Sequence, residues 1–187
     1  LIRSDKPAAK VFNAVRRSGE ITIEAWVRPA NAKQDGPARI VTLSGGSSER
    51  NFTLGQEGDK VDVRLRTSNT RGNCILSLNS PGRSLAPRLT HIVYTRNRGG
   101  RARLFLNGKQ QAEKRVPGAM ANWNGKYRLA LANELSSDRP WLGTFHLVAI
   151  YGRDLSVGEV AQHFKAGVNA RSTGPPLATP QPVSYTH

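Results

Sequence analysis

Between residues 19 and 152 the apolar residues recur at alternate positions in short runs, and each run ends at a turn signal. Ile21-Thr22-Ile23-Glu24-Ala25-Trp26-Val27 alternates until Pro29 stops it. Residues 39–43 form a second run, closed by Ser44-Gly45-Gly46. Residues 51–55 and 61–66 flank Glu57-Gly58-Asp59-Lys60, which reads as a hairpin turn. Residues 90–96 and 102–106 flank the loop Asn97-Arg98-Gly99-Gly100-Arg101. Asn107-Gly108 then turns the chain tightly into residues 109–112, because both residues tolerate positive φ. Residues 127–131 and 143–151 complete the set. Many short strands with no helices between them predict an all-β fold, an antiparallel sandwich, and exclude a parallel α/β fold.

One helix is predicted, Val157–Ala166. Ser156 is its N-cap, and Glu159 three residues on completes a capping box. Val157, Val160, Ala161 and Phe164 give it one apolar stripe, and Gly167 stops it. So short a helix needs the sandwich to dock on. Residues 1–18 read as a segment leading into the sandwich, residues 19–168 as the domain, and residues 169–187 as a Pro-rich linker or tail with four prolines. A first residue of Leu rather than Met reads as a processed or excised piece, with any signal peptide already gone.

Composition adds a partner class. The 187 residues carry 28 Lys+Arg against 13 Asp+Glu, a net charge of +15, which points to sulfated or carboxylated glycans, nucleic acid, lipid headgroups or an acidic protein face. Twenty of the 28 basic residues are Arg, whose planar fork suits sulfate, carboxylate and phosphate. The single cysteine, Cys74, excludes an internal disulfide framework and reads as a small buried hydrophobe. No apolar run is long enough for a membrane-spanning helix.

The order of several segments resembles laminin-G-like domains of the concanavalin A-like lectin/glucanase superfamily, in a bacterial branch. The segments are Thr22-Ile23-Glu24-Ala25-Trp26-Val27-Arg28-Pro29, Thr90-His91-Ile92-Val93-Tyr94-Thr95-Arg96 and Leu104-Phe105-Leu106-Asn107-Gly108. Leu129-Ala130-Leu131-Ala132-Asn133-Glu134, Asp138-Arg139-Pro140-Trp141-Leu142-Gly143, and Val148-Ala149-Ile150-Tyr151-Gly152-Arg153-Asp154-Leu155-Ser156 follow in the same order. The resemblance covers about residues 19–168. It implies a jelly roll of two curved antiparallel sheets, a secreted or envelope setting, and a non-catalytic module of a longer protein. Some relatives bind glycans or proteins and some carry calcium at the sandwich rim. None of the animal domains' calcium carboxylates aligns here, and His146 stands where relatives often have an acidic residue.

Four candidate sites follow. The basic hairpin is the sharpest: Arg96, Arg98, Arg101 and Arg103 surround Gly99-Gly100, and strand geometry brings the two arms together as an anion site, with Arg64 and Arg66 extending the surface. The competing reading is a solvated hairpin tip, with Arg96 in a structural ion pair. Asn122-Trp123-Asn124-Gly125 reads as an exposed loop whose indole stacks on a sugar while the amides bond its hydroxyls; the alternative is a merely structural role for Trp123. Trp26 reads as core, and Trp141 as a plug at the sandwich edge. Asn133, Glu134 and Asp138 are the weak candidates for a structural calcium, set against a buried Glu–Arg pair. Glu57-Gly58-Asp59-Lys60-Val61-Asp62 loosely matches the carboxylate spacing of the superfamily's hydrolases, but a turn must fall inside it and no aromatic cleft accompanies it. His91, His146, His163 and His187 show no metal-ligand spacing, and no Gly-rich phosphate loop opens a helix, so no cofactor is expected. The functional expectation is a non-catalytic extracytoplasmic module that binds an anionic polysaccharide. The alternatives are an accessory subunit docking on an acidic protein and, last, a glucanase-like hydrolase. No motif supports specific nucleic-acid binding.

Overall fold

The computed structural model describes residues 1–70, 73–74 and 76–168, so the Pro-rich segment 169–187 and His187 lie outside the described residues. Alternation sets the architecture, because a strand with apolar residues at every second position must bury one face against another sheet. Two antiparallel sheets result, each in the order of its hydrogen-bonded neighbours. One contains β1 (Ile2–Arg3), β10 (Arg128–Leu131), β3 (Gln34–Gly46), β4 (Glu49–Gly58), β5 (Lys60–Leu65) and β6 (Leu78–Asn79). The other contains β11 (Gly143–Tyr151), β2 (Ile21–Pro29), β7 (Thr90–Arg96), β8 (Arg101–Leu106) and β9 (Lys109–Arg115). This is the jelly-roll sandwich.

In β2 the inward set is Ile21, Ile23, Ala25 and Val27, which joins Ile92, Tyr94 and Leu104 of β7 and β8 in the core between the sheets. The facing sheet supplies Val41, Leu43, Phe52, Leu54, Val61, Val63 and Leu65. Asn107 and Gly108 adopt φ of 50° and 75°, the paired positive values of the expected tight turn.

Both faces of β2 and β7 are buried, and α2 (Val157–Ala166) explains why. It lies over their outer face, where Val160 packs with Val93, Phe105 and Leu155 in a second cluster. The Ser156 side chain accepts from the Glu159 N–H and the Glu159 carboxylate accepts from the Ser156 N–H, so the capping box forms as expected. Trp26 is buried, but on this outer face rather than between the sheets, stacked on its cross-strand neighbour His91 with ring centroids 4.6 Å apart.

The N-terminal segment differs from the lead-in expected. Residues 9–18 form α1 (Ala9–Ser18), and β1 pairs with β10 to make the edge of the first sheet. Val11, Phe12 and Val15 form the helix's apolar face, and Val15 is fully buried in the core. Gly19, at φ 70°, ends the helix by donating its N–H to the Val15 carbonyl. No side chain caps the N-terminus at Ala8, so the start carries no sequence signal; the apolar stripe and Gly19 are the signals that mark this helix. Among the described residues no helix is long and apolar enough to cross a membrane.

Candidate functional site

The β7–β8 hairpin divides its four arginines instead of gathering them. Arg96 pairs with Ala102 and Thr95 with Arg103, so Arg96 shares a face with core residues while Arg103 lies on the opposite face. Arg96 is buried and donates to the carbonyls of Gly19 (2.9 Å), Val116 (3.1 Å) and Gly118 (2.5 Å). Burial pulls its pKa below the ordinary guanidinium value. Arg103 is held by both oxygens of Asp154, at 2.8 and 2.9 Å. Arg101 pairs at 3.0 Å with Glu113, which raises its pKa. Among the described residues, Arg98 alone of the four is both exposed and without a carboxylate partner; its Nε donates to the Ser18 carbonyl at 2.9 Å. The expected convergence of four guanidiniums therefore does not occur. Arg64 and Arg66 follow the opposite sheet, and Arg64 bonds Asp62 at 2.9 Å.

What the hairpin does form is a groove with α1. A concavity of about 310 Å³ is lined by Arg16, Arg17, Arg96 and Arg98 and floored by residues 118–121. Arg16 and Arg17 are exposed in the last turn of α1, where cations favour the helix dipole. Three exposed guanidiniums thus rim one groove, positioned by the Gly19 stop and by Arg98 reaching back to the helix end. Glu20, beside the Gly19 stop, accepts the backbone N–H of Arg98 (3.3 Å) and of Asp154 (3.2 Å). Arg16 and Arg17 escape the sequence reading because they meet the hairpin only once α1 has formed and docked.

Trp123 is not an exposed platform. A 3-10 turn at Met120–Asn122 carries it into the core, where it is 4 % exposed and donates its indole N–H to the Arg66 carbonyl at 2.8 Å. Asn122 donates to the Thr67 carbonyl at 2.8 Å, and the Asn124 backbone is locked to the Asn51 side chain by two bonds of 2.9 Å. The three are used inside the fold because an indole so close to the sandwich edge gains more from burial than from water. Trp141 is also buried and bonds Gln56 at 2.8 Å, the plug expected of it.

The three weak calcium candidates are each engaged by groups of the protein itself. Glu134 is fully buried, pairs with Arg39 at 3.1 Å and accepts from the Ser44 hydroxyl. Asn133 accepts the backbone N–H of Glu134 and Arg139, and Asp138 pairs with Arg139 at 3.2 Å. Among the described residues no group of three or more His, Cys, Asp or Glu is placed to hold a metal ion. Of the hydrolase-like carboxylates, Glu57 accepts the Gly36 N–H at 3.1 Å, Asp59 lies in the turn, and Asp62 is paired with Arg64. Cys74 is buried, and burial pushes its thiol up to about 11. Beside it Arg50 is fully buried, pairs with no carboxylate among the described residues, donates to the Ser47 carbonyl, and is pushed down to about 10 by burial.

A family model described as the concanavalin A-like lectin/glucanases superfamily matches residues 4–161. No curated protein matches the chain. Among solved structures, the carbohydrate-binding module CBM40 of the Ruminococcus gnavus IT-sialidase, bound to α2,3-sialyllactose, superposes with a TM-score of 0.65 at 16 % identity, over 87 % of this chain and 92 % of that one. The botulinum neurotoxin type G receptor-binding domain superposes with a TM-score of 0.59 at 16 % identity, over 79 % of this chain and 38 % of that one. A botulinum neurotoxin type C structure described as dependent for cell entry on two ganglioside molecules gives 0.59 at 16 % identity, over 82 % and 37 %. The chain spans under two fifths of the length of these two toxin structures, and at such identities the likeness is one of fold.

Proposed function

We propose that this chain, which belongs to the concanavalin A-like lectin/glucanases superfamily, is a non-catalytic extracytoplasmic module that binds an anionic polysaccharide. The observation that carries the reading is the groove of α1 and the hairpin, where Arg16, Arg17 and Arg98 stand exposed around one concavity and, among the described residues, pair with no carboxylate. Five other arginines, Arg39, Arg64, Arg101, Arg103 and Arg153, are instead paired with Glu134, Asp62, Glu113, Asp154 and Glu159. A fold that leaves three guanidiniums together, despite their mutual repulsion, has the donor set for sulfate or carboxylate groups. Solved structures of the same fold bind sialyllactose or depend on gangliosides, which supports a glycan as the partner class. A +15 net charge would speed and strengthen that encounter at low salt.

The test is a salt-titrated binding screen of sulfated and uronic polysaccharides with the native chain and an Arg17→Glu/Arg98→Glu variant. Affinity should fall as salt rises, and the variant should bind at least about tenfold more weakly, since hydrogen bonds to charged groups are worth about 1.5–3 kcal/mol each. Undiminished binding by the double variant removes the groove from the account. A native chain with no affinity for any anionic polysaccharide defeats the reading and turns attention to an acidic protein partner.

A further inference from the structure

We propose that a second cleft, between the 81–88 segment, the Asn107-Gly108 turn and α2, seats one acidic sugar unit, a pyranose bearing a carboxylate or a sulfate. The proposal rests on the glycan-binding reading and gives it a ligand class and a site. The cleft has a volume of about 530 Å³ and is lined on one side by Arg83 and Arg88, on the other by Asn107, Lys109 and Gln111, with Phe164 as an end wall. It lies at the opposite end of β8 from the α1 groove, about 20 Å away by strand rise.

Its chemistry is two-sided. Arg83, Arg88 and Lys109 are exposed, and among the described residues none of them pairs with a carboxylate. Three cations around one hollow repel each other until an anion enters. Phe164 is 38 % exposed and contributes an apolar surface where inorganic anions have nothing to gain. Asn107 accepts the His91 N–H through Oδ1 at 3.0 Å, which leaves its amide N–H groups to donate, and Gln111 adds a second amide. Oxyanion, apolar ring face and hydroxyls are the three surfaces of an acidic sugar, and the cleft offers a partner to each. A neutral sugar would leave the cations uncompensated.

The walls are held in place before any ligand arrives. Leu85 is 2 % exposed and plugs the core beneath the 81–88 segment, while the Asp59 carbonyl accepts from Ser84 N (3.0 Å) and Leu85 N (2.9 Å). Phe164 stacks on Trp26 at 5.8 Å and lies against Gly108, where an added Cβ would stand 3.0 Å from its ring. The turn glycine is thus needed twice, for φ 75° and for the close approach of α2. A preformed site spares the ligand the cost of ordering it.

The experiment is an NMR titration of the ¹⁵N-labelled full chain with a galacturonate tetrasaccharide, a heparin tetrasaccharide, cellotetraose and inorganic sulfate. Shifts at the Arg88, Asn107, Lys109 and Phe164 amides with an acidic tetrasaccharide, and with neither cellotetraose nor sulfate at equal concentration, support the proposal. So does a loss of about tenfold or more in affinity in Arg83→Gln/Arg88→Gln or in Lys109→Gln, exposed changes that leave the fold intact. Shifts confined to the Arg17, Ser18 and Arg98 amides overturn the cleft while the glycan-binding reading stands. Equal response to sulfate alone overturns the sugar seat, and no response to either acidic probe overturns both readings.

Discussion

Arg39 and Glu134 meet at 3.1 Å with side chains 1 % and 0 % exposed, and their fates are tied. A buried pair gains little over apolar residues of the same shape, but removing one partner strands the other charge out of water. Glu134→Ala should therefore cost about 3–5 kcal/mol of stability, measured by urea unfolding, while the double change Arg39→Met/Glu134→Leu should recover most of it. A loss below about 1 kcal/mol would mean that water reaches the pair. At this scale the sequence was informative about residue type and mute about partners. That a basic chain would bury a Glu–Arg pair is readable; that Arg103 takes Asp154, 51 positions away, is not.

The elements carry the next lesson through α2. Its boundaries were legible because the capping box and Gly167 are local signals. Its docking was not, because that depends on Glu24, which bonds His91 at 2.8 Å, His163 at 3.0 Å and Tyr151 at 3.0 Å. Burial raises the Glu24 pKa, but the bonds and charges of the two histidines outweigh it and leave the carboxyl below its ordinary range. A depressed folded-state pKa gives stability that is complete above the unfolded carboxylate value of about 4.3 and is lost as pH falls through the folded value. Acid titration should thus loosen α2 below about pH 4.3, seen as a change in Trp26 fluorescence as the Phe164 stack opens. Glu24→Gln should remove that acid step; an unchanged step in the variant would place its origin elsewhere. By contrast α1 begins without a side-chain cap, so only the stripe Val11, Phe12, Val15 and the Gly19 stop mark it in the sequence.

On the scale of the whole molecule, the N-terminal 18 residues are part of the sandwich. β1 extends one sheet and Val15 fills the core, with Val11 and Phe12 packed against it. Deleting residues 1–18 should expose that core and lower the melting temperature by at least about 4–8 °C, what a loss of roughly 2 kcal/mol does in a domain of this size. A truncated chain that melts within a degree or two of the intact one would show the segment to be an appendage. The same deletion removes Arg16 and Arg17, so it tests fold and groove together, and only the Arg17→Glu/Arg98→Glu variant separates them.

Period-2 alternation, the Asn-Gly turn and the capping box belong to neighbouring residues, so the sequence alone determined most of the strands, the hairpins and α2, and with them an antiparallel sandwich, while the jelly roll was what the family resemblance implied. Its excess of arginine likewise determined that the surface would be strongly positive. Which arginines remain available was decided by the tertiary structure. One-residue parity sent Arg96 inward and Arg103 to Asp154, and the 3-10 turn at Met120–Asn122 carried Trp123 into the core. The α1 groove and the cleft beneath α2 join residues far apart in the chain, such as Arg17 with Arg98 and Arg83 with Phe164. Side-chain partnership across such separations depends on register and packing, and no local pattern encodes either.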